Sequence, residues 1–310
     1  MGKTAYIFPG QGSQSVGMGK DLFENFTAAR EVFEAADDAL GFSMSDLCFA
    51  GSESDLQLTA NTQPAILTVS VAAYHAARAE GLDEPDYVAG HSLGEYSALV
   101  AAGVIDFADA VRTVRNRGTY MQEAVPVGVG AMAAILGLDV ADVIDGCGQA
   151  AKGQVCSAAN INSRNQVVIA GHAEAVDRAC EILKEKGAKR AIKLNVSAPF
   201  HCELMMPAQE RLADDLGTLE YFDFLFPIVH NVDAAISDSS EDVGKKLTQQ
   251  VSSPVRWLET IENLRSAGVD KFVEIGPGKV LSGLVRQIDN TAVFGHIENA
   301  ETLRNTLETS

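Results

Sequence analysis

The residues with the clearest chemical meaning are Gly90, His91, Ser92, Leu93 and Gly94. They fit the GxSxG pattern of a nucleophile elbow, in which a serine sits on a sharp turn between a strand and a helix. The turn is tight, so only small residues fit two positions to either side. It lifts the Ser92 hydroxyl out of the chain and points it at a substrate. The Leu93 amide then lies at a helix N-terminus, where it can donate to an oxyanion. The plain alternative is an ordinary tight turn.

A serine hydroxyl is a weak nucleophile and needs a base. Six histidines are available. His75 falls inside an apolar helical pattern, and His91 adjoins the serine on a sharp turn, where a neighbour points elsewhere. His172, His230 and His296 lie near strand or turn boundaries without a supporting motif. His201 is the better candidate. It follows Pro199 and Phe200 at the junction between two units of the chain, and clefts between units collect ligands. Pattern alone leaves it open between base and loop histidine. Arg117 poses a similar choice. It shares a helical stretch with Arg112 and Arg115 and is followed by Gly118 near the helix end. In a cleft its guanidinium would clamp a carboxylate through two parallel hydrogen bonds. On a solvated face it would have no such role.

Other chemistries fit poorly. The segment 9–19, PGQGSQSVGMG, has the look of a phosphate loop. GxGxxG would need Gly at position 15, where Ser15 stands, and GxxxxGK[ST] has no match because Met18 follows Gly17. What remains is a turn that exposes Gln11 beside backbone amides. The cysteines, Cys48, Cys147, Cys156, Cys180 and Cys202, are odd in number and form no CxxC, which argues against a disulfide framework or a zinc site. No HxxxH pair marks a metal site. A net charge of −18 would repel nucleic-acid phosphates. No signal-peptide h-region is visible at the N-terminus, and no run of about 20 apolar residues suggests a membrane span. The chain reads as cytoplasmic.

The elements that must position these residues follow an α/β rhythm. Of the 310 residues, 46 % are hydrophobic and only 6 % aromatic, a balance that favours α/β layers. A strand at 4–8 enters the Gly-rich turn. A helix spans 22–40, and another spans 63–80 with Pro64 in its first turn. A strand at 87–89 runs into the elbow, followed by a helix at 93–102 and one from the N-cap Asp106 to about 121. Then come a strand at 131–136, a helix at 140–151, strands at 155–160 and 167–170, a helix at 174–186 and a strand at 190–196. That order, βαββαβ, is ferredoxin-like. It predicts a small subdomain, 127–197, inserted into a large α/β-hydrolase-like unit, 1–126 and 198–310, with a mainly parallel sheet. The large unit resumes with a helix at 202–216, a strand at 228–232, a polar loop at 234–241, and helices at 241–251 and 255–266. It ends with a strand at 272–275, a helix at 280–288, a strand at 293–297 and a helix at 300–307.

The motifs add up in order: FPGQGSQ at 8–14, QPAI at 63–66, GHSLGEYSAL at 90–99, RG at 117–118, AMAAILGL at 131–138, VSAPFH at 196–201 and EIGPGKVLSGL at 274–284. Over about 3–307 the chain resembles the malonyl-CoA:acyl carrier protein transacylase family, which loads the carrier for bacterial fatty-acid synthesis. The resemblance implies a cytoplasmic, monomeric acyltransferase without a cofactor. It would move malonyl from malonyl-CoA to the phosphopantetheine thiol of an acyl carrier protein through a malonyl-Ser92 intermediate. Ser92 would be the nucleophile, His201 its base, and the Gln11 and Leu93 amides the oxyanion hole. Arg117 would hold the malonate carboxylate. A backbone carbonyl near Gln250, in KKLTQQVSSPVRW, would orient His201 with no acid completing a triad. Asn160, Asn162 and Phe200 would shape the cleft.

An acidic carrier meeting an acidic enzyme needs a local basic patch. The densest run is Lys184, Lys186, Lys189, Arg190 and Lys193, with Lys189, Arg190 and Lys193 as the docking candidates and a solvated face as the alternative. Cys202 reads as a packed small residue. Two rivals stand beside this reading. A serine hydrolase would let water attack the acyl-enzyme, and the Arg117 clamp and missing triad acid argue against it. A non-catalytic carrier-binding module would not keep Gln11, Ser92, Arg117 and His201 intact.

Overall fold

The structure, a computed structural model, describes residues 2–196 and 198–309. Ten strands form two sheets. The first holds β1 (Lys3–Phe8), β2 (Tyr87–Gly90), β7 (Ile228–Val229), β8 (Ile236–Ser237), β9 (Val269–Ile275) and β10 (Val293–Ile297), in the order β10-β9-β1-β2-β7-β8. All neighbours are parallel except β7 and β8. The second holds β3 (Gly130–Leu136), β4 (Cys156–Ser163), β5 (Gln166–His172) and β6 (Arg190–Lys193), all antiparallel, in the order β4-β5-β3-β6. The fold is mixed α/β, with a mostly parallel sheet and a separate antiparallel one.

Period-two alternation explains how the large sheet is buried on both faces. Along β1, Ala5 and Ile7 enter one core with Trp257, Ile261 and Phe272, while Tyr6 and Phe8 enter the other with Leu22, Phe33 and Ile66. Full burial of such side chains stabilises by about 1.5–3 kcal/mol each. The small sheet does the same. Ala133, Ile135, Val167 and Ile169 face the helices Val140–Ala151 and Ala173–Glu185, whereas Met132, Val168 and Ala170 join the core that holds Tyr6 and Phe8. That second face closes one wall of the cleft over the sheet's carboxyl ends.

Most elements lie where the sequence places them, and the helices at Val140–Ala151 and Val280–Ile288 agree to the residue. Several do not. The expected helix 22–40 is two helices, Lys20–Asn25 and Thr27–Leu40, parted at an extended Phe26. The helix expected from 63 begins at Thr59, so Pro64 lies inside it and not in its first turn. Proline there frees the carbonyl of Ala60, four residues back, and the Arg115 Nη1 donates to it at 2.7 Å. Thr59–Ala79 therefore keeps its proline without an orphaned acceptor. The expected strand 190–196 ends at Lys193, with Ser197 outside the described residues. The helix expected from 202 opens as a 3-10 turn, Glu203–Met205, before Met206–Gly217. The strand expected at 228–232 is only Ile228–Val229, and the polar loop contains the short β8. Helices Met44–Ala50 and Glu53–Gln57 went unread, although Ser43 and Ser52 cap them.

Candidate active site

The site sits at the carboxyl ends of β1, β2 and β7, where open parallel sheets gather their ligands. Ser92 stands two residues past the end of β2. Its φ is +53°, a left-handed value that non-glycine residues adopt at a cost. Gly90 and Gly94 make the turn possible. A Cβ on Gly90 would stand 1.9 Å from the Gly94 backbone, and one on Gly94 would stand 2.0 Å from the Phe8 carbonyl oxygen. The turn then feeds the helix Gly94–Ala101 through Glu95 N–H to the Ser92 carbonyl at 3.1 Å.

His201 reaches the serine from the segment after the small sheet. Its Nε2 is 2.7 Å from Ser92 Oγ, and its Nδ1 is 2.8 Å from the Gln250 carbonyl oxygen. A carbonyl only accepts, so Nδ1 carries the proton and Nε2 is left to accept from the serine hydroxyl. His201 also has a left-handed backbone, with φ +58°. It is 3 % exposed. Burial first, and then the charge of Arg117, push its pKa down to about 3. The imidazole is therefore unprotonated throughout the neutral range, with Nε2 free to accept a proton.

Arg117 completes the group. The helix Phe107–Glu123 buries the stripe Ala110, Val114, Arg117 and Met121, while Arg112 pairs with Asp109 outside it. Arg117 is 1 % exposed. Its Nη1 donates to Gln63 Oε1 at 2.7 Å, and its Nη2 donates to Gln250 Oε1 at 2.9 Å and to Ser92 Oγ at 3.2 Å. Its face lies 5.7 Å from the Tyr96 ring centre. Burial lowers its pKa. Among the described residues it has no carboxylate in ion-pair contact, and its Nε–H has no acceptor. A buried cation with open donors is matched to an anionic ligand.

A cavity of about 110 Å³ lies over these groups, lined by Gln11, Ser92, Leu93, Arg117, Phe200 and His201 among others. Gln11 and Leu93 both line it, and neither backbone N–H finds an acceptor among the described residues. The Gln11 side chain donates to Thr59 Oγ1 at 3.3 Å. Asn160 lines the cavity too. Asn162 does not: its Oδ1 meets His91 Nε2 at 2.8 Å, and it borders an adjoining cavity of about 180 Å³ instead. Gln250 is fully buried and does not line the cavity.

The docking candidates lie apart from both cavities. Lys189, Arg190 and Lys193 are exposed. Lys193 is paired with Asp177 at 2.6 Å, and Lys186 with Asp145, so part of the patch is neutralised in place. Cys202 is buried, donates to the Pro199 carbonyl at 3.1 Å, and has its thiol pushed up to about 12 by burial. It is packed and unreactive.

Sequence reasoning missed Asn231, at the end of β7. Its Oδ1 accepts from the Ser92 backbone N–H at 2.6 Å, and its Nδ2 donates to the Gly90 carbonyl at 2.6 Å. It braces the strained elbow from 139 residues away in sequence. Gln63, which steers Arg117, was missed as well. The usable signal was the polar pair His230-Asn231 closing an apolar run, since strand ends in such a sheet converge on the site.

Comparison with known proteins agrees with this geometry. Residues 5–300 match the model of a family described as the acyl transferase domain. The malonyl CoA-acyl carrier protein transacylase of Bacillus subtilis (strain 168) is 48 % identical over 312 residues, covering 100 % of this chain and 98 % of that protein. A crystal structure of an acyl carrier protein S-malonyltransferase from Vibrio cholerae superposes with a TM-score of 0.96 at 46 % identity, covering 98 % of this chain and 99 % of that one. A malonyl-transacylase solved in complex with its type II PKS acyl-carrier protein gives a TM-score of 0.97 at 47 % identity, covering 99 % and 100 %. Likeness at this level spans both sheets and every element that carries the Ser92 and His201 pair, and the chain therefore belongs to the acyl transferase domain family, among the malonyl CoA-acyl carrier protein transacylases, and is an acyltransferase.

Proposed function

We propose that this chain carries malonyl groups from malonyl-CoA to the phosphopantetheine thiol of an acyl carrier protein, loading the carrier for fatty-acid synthesis, through an ester on Ser92. The observation that carries the reading is the shared oxygen: Ser92 Oγ lies 2.7 Å from the base nitrogen of His201 and 3.2 Å from the buried guanidinium of Arg117. Malonyl-CoA binds with its free carboxylate on Arg117. His201 Nε2 takes the Ser92 proton as Oγ attacks the thioester carbonyl. The oxyanion accepts from the Gln11 and Leu93 amides. The carbon–sulfur bond breaks, and the CoA thiolate takes the proton from His201. The carrier thiol then gives its proton to His201, attacks the malonyl ester, and Ser92 leaves with that proton. A thioester is activated already, so a histidine oriented by the Gln250 carbonyl suffices without an acid. No cofactor enters these steps, and one chain holds every group they need.

The same reading divides the chain at 127 and 198. The strand order β4-β5-β3-β6 with two helices on one face supports a ferredoxin-like small unit, and the elbow at the end of β2 supports a hydrolase-like large one. Lys189 and Arg190, exposed and without an ion pair among the described residues, are its carrier-docking groups.

The test is intact mass after a short quench with malonyl-CoA, and separately with acetyl-CoA. A malonyl adduct is expected, absent in Ser92→Ala and discharged by carrier protein faster than by water. CoA release without an adduct would replace the transferase with a hydrolase.

A further inference from the structure

Glu95 lies in the first turn of the helix behind the elbow and is 1 % exposed. It does not line the serine cavity. Its carboxylate gathers three donors. Oε1 takes His230 Nδ1 at 2.7 Å, and Oε2 takes the Asn231 backbone N–H at 3.0 Å and Gln250 Nε2 at 2.7 Å. Two of these partners hold the reacting groups. Asn231 grips the Ser92 amide and the Gly90 carbonyl. Gln250 touches everything else: its Nε2 also donates to the Ser92 carbonyl at 3.0 Å, its Oε1 accepts from Arg117, and its backbone carbonyl accepts from His201.

We propose that Glu95 is a positioning residue for the acyl transfer, acting through Gln250 and Asn231 on Ser92, His201 and Arg117 at once. The inference rests on Ser92 being the nucleophile. The chemistry of the side chain explains the choice. An ionised carboxylate is acceptor-only with about four lone-pair sites, so it can serve three donors that converge on it. Its bonds are charge-assisted and roughly twice as strong as neutral ones. An amide in its place has one accepting and one donating end. His230 can adapt, because moving its proton to Nε2, which has no partner among the described residues, turns Nδ1 into an acceptor. Glu95→Gln therefore keeps the contacts to Gln250 and Asn231 while weakening them. Glu95→Ala takes the acceptor from the Asn231 N–H and leaves Gln250 Nε2 only the Ser92 carbonyl, so both groups lose their tie to the helix behind the elbow.

The experiment labels the full chain with a neutral fluorophosphonate and follows the adduct by intact mass. Ser92 Oγ bonds to phosphorus, fluoride leaves, and His201 takes the proton. The reagent has no carboxylate, so its rate reports the positioned pair whichever acyl group the enzyme prefers. We expect the maximal labelling rate to fall about tenfold in Glu95→Gln and about a hundredfold in Glu95→Ala, with the half-saturating reagent concentration unchanged and circular dichroism showing both variants folded. A folded Glu95→Ala that labels at the wild-type rate overturns the proposal. If Glu95→Ala does not fold, Glu95→Gln decides, and a wild-type rate there overturns it. Wild-type protein that labels as slowly as Ser92→Ala would instead bring down the nucleophile assignment, and this proposal with it.

Discussion

Replacing Arg117 by alanine tests the link between burial and substrate choice. In the free site Arg117 donates to Gln63, Gln250 and Ser92, all neutral, and keeps an open Nε–H. A malonyl carboxylate would gain one to two hydrogen bonds to a charged donor, each about 1.5–3 kcal/mol. A total near 3 kcal/mol corresponds to about 150-fold in kcat/KM for malonyl-CoA. Acetyl-CoA brings a methyl group to the same cation and gains none of this, so its loss should be small. The ratio of the two kcat/KM values should therefore fall about a hundredfold. Removing the guanidinium also strands Gln63 Oε1 and Gln250 Oε1, at about 1–3 kcal/mol each. The assay must be run below the melting temperature of the variant, with CoA release measured under matched conditions for both donors. Equal losses for malonyl-CoA and acetyl-CoA would refute the reasoning, because a general distortion of the site cannot tell the two acyl groups apart.

Five further outcomes are expected. The His201 pKa near 3 lies below its ordinary 6.5, so the unfolded chain binds a proton that the folded chain does not; stability from this group is lost as pH falls from about 6.5 toward 3, at up to about 1.4 kcal/mol per pH unit, and His201→Gln should flatten that part of the melting profile. For the same reason, kcat/KM should show no acidic limb from this histidine between pH 5 and 8, and a limb near 6.5 that vanished in a His201 variant would contradict its burial. Asn231→Ala should cost about 2 kcal/mol of stability in a denaturant titration and slow Ser92 acylation by roughly tenfold or more, since the elbow loses the two ties that Asn231 makes to it. Gly90→Ala should give no soluble folded protein, as the added methyl would overlap the Gly94 backbone; normal yield and circular dichroism would show that the turn can relax. Reversing charge at Lys189 and Arg190 should raise KM for carrier protein and leave KM for malonyl-CoA alone; a parallel rise in both would move the docking surface elsewhere.

How much of this was readable in advance follows from the range of each interaction. The elbow was legible because its pattern is local: Gly90 and Gly94 fall within five residues, Gly90 pressed by the turn itself and Gly94 by the Phe8 carbonyl of the adjoining strand. Val140–Ala151 and Val280–Ile288 were legible because an amphipathic stripe and clear end signals lie within each segment. Pro64 misled for the opposite reason. A proline normally belongs at a helix start, and only a distant arginine, Arg115, made an interior position tolerable. The pairing of Ser92 with His201 spans 109 residues and that of Ser92 with Asn231 spans 139. His201 stood out by its place at a junction and then by the family's motif. Asn231 had no motif to carry it, and its contact exists only once β2 and β7 lie side by side. The docking run was visible as charge, but the acids that neutralise Lys186 and Lys193 come from elsewhere in the fold.

Ser92 and His201 both occupy left-handed backbone, at φ +53° and +58°. Such conformations persist only while the surrounding structure holds them. The reactive pair is thus a gauge of tertiary integrity more than of secondary structure. On heating, catalytic competence should fade before helix content does, since a small loosening of the cleft lets both residues relax to commoner backbone angles while the sheets stay intact. The same geometry narrows what can stand at position 92. A threonine offers the same hydroxyl, yet its branched Cβ is poorly suited to positive φ. The serine there is chosen by the backbone as much as by the reaction.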